Sequence, residues 1–160
     1  MYLWIVLLHV VGAFLFVLSH GVAAWMALVI RKERDRARIA AMLSLSSLSM
    51  FGVYLGLLLL LVGGIWAGIV GGHFGRGWIW ASLGVLVLVT AVMYLVATPF
   101  FIRLRGAVGA PTRGVEADPA LRVSDEELVA LVARAPVVPI VGVGGAGLLL
   151  ILWMMVLKPF

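Results

Sequence analysis

Four long apolar runs occupy most of the chain: residues 2–30, 39–71, 78–102 and 137–157. Each reaches the roughly 20 apolar residues that a helix needs to cross a bilayer. Inside hydrocarbon a backbone must satisfy its own hydrogen bonds, so segments of this kind span as helices. Hydrophobic residues make up 64% of the sequence and charged residues 12%, the reverse of a soluble domain. The expectation is an all-α fold, a four-helix transmembrane bundle forming one integral membrane domain over residues 1–160. The loop at 103–136 is the only polar piece of any size.

The distribution of charge gives an orientation. Of the twelve Lys and Arg residues, Arg31, Lys32, Arg34, Arg36 and Arg38 lie in the first loop. Arg103, Arg105, Arg113, Arg122 and Arg134 lie at or in the third, and only Arg76 and Lys158 are left for the other face. Basic loops stay in the cytoplasm, so both termini are expected outside. Five of the six tryptophans (Trp4, Trp66, Trp78, Trp80 and Trp153) fall in the outer half, at headgroup level; Trp25 is nearer the inner surface. Met1–Trp4 carries no side-chain positive charge, which argues for a retained first helix rather than a cleaved signal peptide. The net charge of +5 therefore reads as membrane topology and not as a nucleic-acid surface. The first loop, Arg31–Arg38, alternates in sign and reads as a solvated segment that continues the helix for a turn or two.

Glycine marks where helices can meet. In the second run Gly52, Gly56, Gly64, Gly68 and Gly72 form a period-four ridge, interrupted by Leu60. Such a ridge lets another backbone approach closely and gain dispersion contact. Gly63-Gly64 also offers a place to kink. Gly142 and Ala146 in the fourth run are a second pair of this type, suited to dock against that ridge. In the third loop, Gly106, Gly109, Pro111, Gly114 and Pro119 predict irregular chain. Ser124 followed by Glu127 is a capping box, and Leu128, Leu131 and Val132 make an apolar stripe. A short amphipathic helix over about 125–135, ended by Pro136, is expected on the cytoplasmic side.

Much chemistry is excluded. With no cysteine there is no thiolate metal site, disulfide or thiol nucleophile. No Asp, Glu, Lys or Arg falls inside the four apolar runs, whereas ion-coupled transporters and pumps keep such groups at mid-membrane. There is no HExxH motif, no phosphate-binding glycine loop followed by Lys, and no channel filter motif. A catalytic role is not expected.

Two histidines remain. His9 and His20 are eleven residues apart, close to three helical turns, so they share nearly one face about 16 Å apart along the axis. Gly12, Ala13, Ala23 and Ala27 share that face. Stacked histidines beside small residues are how membrane b-type cytochromes place two haems, with opposing ligands from a second helix. Here the opposing ligand would be His73 in the outer turn for His9, a methionine such as Met50 or Met93, or His20 of a second copy. The plainer reading is a hydrogen bond across the bundle, with Ser44, Ser47, Thr90 or Tyr94 as partners for His20. Haem b is the cofactor this pattern leaves open, and no dedicated metal site is expected.

The run Leu8-His9-Val10-Val11-Gly12-Ala13 resembles the opening helix of small bacterial four-helix membrane proteins of unknown function, distantly similar to the copper-resistance protein D family. Ser19-His20-Gly21, the Arg/Glu loop and the serine-rich start of the second run are similar to proteins of high-GC bacteria. That resemblance implies a four-helix bundle, a bacterial cytoplasmic membrane, and a haem or copper link. Taken together the expected role is an accessory or assembly subunit acting through helix packing, in contact with the lipid bilayer and in a homo-oligomer or a larger membrane complex. The alternative is a b-type haem or metal binder using His9 and His20, in electron transfer.

Overall fold

The computed structural model describes residues 1–112 and 114–160. Arg113, counted above among the basic residues of the third loop, lies outside the described residues. Five α-helices follow one another: α1 (Tyr2–Ile30), α2 (Arg36–Val70), α3 (Gly77–Val108), α4 (Asp125–Ala133) and α5 (Val137–Leu157). Short 3-10 turns at His73–Gly75 and Pro119–Leu121 complete the elements. The described residues contain no strand. Four helical stretches are long and apolar enough to cross a membrane, the last running through α4 and α5 from Asp125 to Leu157.

Two boundaries differ from the sequence reading. The first loop does not continue as helix. The chain turns at Arg31-Lys32, and Asp35 caps α2 by accepting the Arg38 N–H at 2.9 Å. An aspartate N-cap fixes the start of a helix there, and its local geometry wins over a continued rod. The third helix runs past Ile102 to Val108, ending at Gly109 with φ +80°. The apolar run stops at Arg103, but arginine is a good helix former, so the end of hydrophobicity is not the end of the helix. Gly106 accordingly lies in α3 rather than in irregular chain. Pro99 is accommodated within this helix. Pro139 falls in the first turn of α5, where a missing N–H costs nothing within the helix.

The helices form two antiparallel pairs, α1 with α2 and α3 with α5. Between the pairs, α1 meets α5 and α2 meets α3 more sparingly. The main buried cluster lies at the end of the bundle that carries the first and third loops. Ile30, Ile39, Leu43, Leu104, Leu128 and Val132 are fully buried there. Arginines close this end by donating to helix carbonyls. Arg36 reaches Ala107 O at 2.9 Å and Val123 O at 2.6 Å, and pairs with Asp125 at 2.7 Å. Arg105 donates to Leu43 O, and Arg31 to Ala133 O at 3.3 Å. The carbonyls of Ala107 and Ala133 belong to the last turns of α3 and α4, where no helical donor remains and the helix dipole favours a cation.

Along the middle of the bundle large apolar side chains point outward, Phe14, Leu18, Leu48, Leu95 and Leu149 among them. In water so continuous a patch would drive association. It is the surface that a hydrocarbon solvent requires.

Candidate functional site

The seam between α1 and α2 contains most of the residues singled out in the sequence. At Gly56 an added Cβ would lie 2.5 Å from the backbone N of Phe16. At Gly63 it would lie 2.6 Å from the backbone N of His9, and at Gly12 it would strike the backbone of Leu59 and Leu60. The two helices are therefore in backbone contact, which only glycine allows. Gly52 faces the Ser19 side chain and Gly64 faces the His9 ring. Leu60, which interrupts the ridge on α2, is met by Gly12 on α1. Gap and knob are exchanged between the helices, so the interruption leaves the seam closed. α2 is helical through Gly63-Gly64, where the sequence offered a kink; the pair serves as a docking surface instead.

His9 is part of this seam. Its Nδ1 lies 2.8 Å from Leu60 O, and since a carbonyl only accepts, Nδ1 carries the proton and donates. A Cβ at Gly64 would lie 2.7 Å from that same Nδ1, so Gly64 provides the room for the ring. His20 faces a different helix. It stacks on Phe16 with ring centroids 5.8 Å apart, and a Cβ at Gly144 of α5 would lie 2.9 Å from its Nε2. The Met93 methyl lies against the same point, 3.6 Å away. Thus one face of α1 is read by α2 at His9 and by α5 and α3 at His20.

The hydroxyl partners expected for His20 are engaged elsewhere. Ser44 and Ser47 donate to the carbonyls of Ala40 and Leu43 in their own helix, at 3.1 and 3.3 Å. Thr90 and Tyr94 are exposed. In hydrocarbon the nearest acceptor for a serine hydroxyl is its own helix, one turn back. The contacts of His73 are with other residues: its Nε2 is 3.4 Å from the Tyr2 hydroxyl, and its ring tilts against Trp78 at 6.1 Å.

The remaining packing residues divide. Gly68 faces the ring of Phe74 in the turn between α2 and α3 and not another helix. Gly142 has open space around its missing side chain, and Ala146 is exposed. The glycines of α5 that do pack are Gly144 and Gly147, the latter against Val89 of α3. So α5 docks on α3, and the ridge of α2 is taken by α1. The signal for this was present: Gly144 and Gly147 are spaced i, i+3, as good a packing spacing on a helix as i, i+4.

Both histidines lie against glycines of neighbouring helices, His9 against Gly63 and Gly64 of α2 and His20 against Gly144 of α5. His9 is wedged between two backbones in contact, and the backbone of α5 stands before the Nε2 of His20. Among the described residues no three His, Asp or Glu side chains gather as a metal site. The seam can hold helices together through close packing and one half-buried polar contact. No family model, curated protein or solved structure matches the chain.

Proposed function

We propose that this chain is a multi-pass protein of a bacterial cytoplasmic membrane, with both termini outside, and that it works as a non-catalytic accessory or assembly subunit through helix–helix packing. The observation that carries this reading is the use made of the intramembrane polar groups. His9, Ser44, Ser47, Ser49 and Ser82 all bond to helix carbonyls, the bonds that tie helices and satisfy hydroxyls in hydrocarbon. The small-residue face of Gly142 and Ala146 is left outward, available to a helix of another subunit or of a second copy. The short helix α4 is the amphipathic element of the cytoplasmic loop, packing Leu128 and Val132 under the bundle.

Two measurements test this. The chain has no cysteine, so single cysteines can be placed at Arg34 and Gly75 without background. Impermeant maleimide should label position 75 from outside and position 34 only after the membrane is opened; the opposite pattern reverses the topology. Protein purified from its membrane should be colourless before and after dithionite, and should migrate as an oligomer or a stoichiometric complex larger than the 17.2 kDa chain. A Soret band shifting on reduction would replace this reading with haem binding by His9 and His20.

A further inference from the structure

A groove runs along the outside of α3 at the arginine-rich end. It consists of two hollows of about 640 and 560 Å³ that share Pro99, Ile102, Arg103 and Leu121. The hollow farther from the loops is lined by Tyr94, Leu95 and Thr98. The hollow nearer the loops reaches α4 and is lined by Ala130, Leu131 and Arg134. From Tyr94 to Ile102 the groove follows α3 for about 12 Å, the scale of an acyl chain segment. One end is therefore apolar and the other carries two guanidinium groups.

Those two arginines differ from their neighbours. Arg31, Arg36 and Arg105 spend their donors on helix carbonyls of the bundle. Arg103 and Arg134 make no side-chain hydrogen bond or ion pair among the described residues, and both are exposed. Glu127 also lines the hollow, but its carboxylate accepts the Ser124 N–H at 3.2 Å in the capping box of α4. The groove thus offers a net positive headgroup end above an apolar trough, at the depth where α3 leaves the apolar run.

We infer that this groove binds one anionic phospholipid of the cytoplasmic leaflet, its phosphate between Arg103 and Arg134 and one acyl chain along Tyr94, Leu95 and Ile102. Charge and shape agree on this occupant. A partner helix would have to bring its own anion to the arginine end, whereas a phospholipid carries both parts in one molecule. The inference rests on the membrane reading above. Each arginine near a leaflet surface is worth about 1 kcal/mol toward anionic lipid, about fivefold in affinity.

The test is native mass spectrometry of the full chain released from micelles containing equal phosphatidylglycerol and phosphatidylcholine of the same acyl chains. One phosphatidylglycerol should be retained in preference by about fivefold or more, and inorganic phosphate should not displace it. Arg103→Gln with Arg134→Gln should abolish the preference. Ala130→Trp should fill the hollow and lose the lipid with the charge unchanged. Lys32→Gln with Arg34→Gln, equal in charge but outside the groove, should leave it intact. Equal retention of the two lipids overturns the inference, as does a matching loss in the Lys32/Arg34 variant or displacement of lipid by a bound protein. Extraction of the chain from membranes by alkaline carbonate would instead overturn the membrane reading, which separates the two failures.

Discussion

The α1–α2 pair and the α3–α5 pair are both antiparallel and both lined with glycine, yet the glycines do different work. In α1–α2 the missing side chains of Gly12, Gly56 and Gly63 face backbone atoms of the partner. In α3–α5 Gly147 faces the methyls of Val89, and Gly144 faces the tip of Met93 together with His20 from α1. Backbone cannot rotate away, while the flexible Met93 side chain can change rotamer and the stiffer Val89 can give way by a shift of its helix. The first pair is therefore a rigid unit whose spacing is set by main chain, and the second is an adjustable one. The loop-end cluster then holds the two units together, since its buried residues come from α1, α2, α3 and α4. Where packing has no side chains to compress, a single added methyl has the greatest leverage.

The largest effect expected from this contrast is at Gly56. Gly56→Leu drives a branched side chain into the backbone of Phe16, and the pair must separate or shift. Overpacking of this kind costs about 3 kcal/mol. Thermal unfolding of the detergent-solubilised protein, followed by tryptophan fluorescence, should show a large fall in Tm. His20→Gln should be close to neutral in the same assay, because His20 makes no side-chain hydrogen bond among the described residues for the change to break and its ring meets only side chains and Gly144. A mild Gly56→Leu would mean that α1 and α2 are not in backbone contact, and the difference between the pairs would vanish.

Next comes the joint between the pairs. Arg36 begins α2 and reaches the end of α3, Val123 and the start of α4 through three groups at once. Arg36→Ala leaves the Ala107 carbonyl without this donor and removes the pairing of Asp125, at a cost of about 2 kcal/mol. Arg36→Lys should recover only part, since an ammonium cannot reproduce the planar fork. Limited proteolysis of the 109–124 segment should accelerate in both variants, more in Arg36→Ala. Unchanged cleavage would show that the buried cluster alone holds the joint.

Much of the helical frame was legible in the sequence because hydrophobicity and length suffice to define a helix in an apolar chain. The capping box at Ser124 and Glu127 marked a helix start through a local hydrogen-bond pattern, with both reciprocal bonds present. What was not legible depends on pairing. The ridge of α2 announced a close partner but not which one, because glycine carries no chemistry to identify its neighbour. Hence the spacing points Gly142 and Ala146 at the ridge of α2, whereas α5 packs through Gly144 and Gly147 against α3 and the His20 ring. The loop arginines presented themselves as topogenic charge, and nothing in their spacing distinguishes Arg36, which donates to carbonyls, from Arg103, which does not. His9 and His20 stand eleven residues apart in one unbroken helix, yet His9 meets α2 while His20 meets α5 and α3.

At Gly147 the contrast predicts a small effect, because two opposing contributions largely cancel. Gly147→Ala crowds a Val89 methyl, whose χ1 is stiff in a helix. It also replaces a residue that disfavours helix by about 1 kcal/mol relative to alanine. The net change should stay within about 1 kcal/mol of the parent. The matched change Gly56→Ala should cost clearly more in the same unfolding measurement. Equal losses at the two positions would mean that both pairs are set by main chain.

The smallest effect lies in the first loop, where α1 hands over to α2. The Glu33 carboxylate accepts the N–H groups of Asp35 at 3.0 Å and Arg34 at 2.8 Å, which holds its pKa below the ordinary value of 4.5. A carboxyl depressed in the folded state binds its proton less readily there than in the unfolded chain. Its contribution to stability is therefore complete above the ordinary carboxylate range and is lost as pH falls through the lower folded value. Glu33→Gln removes that dependence, so the difference in Tm between parent and variant should be constant at neutral pH and shrink as the solution is acidified below 4.5. Although the turn joins the helices of the first pair, its hydrogen bonds are local and remote from Gly56, so this shrinkage should be equal in the Gly56→Ala and Gly147→Ala backgrounds. A pH response confined to one background would mean that the loop is coupled to that pair, and that the two units are not as separate as their glycines indicate.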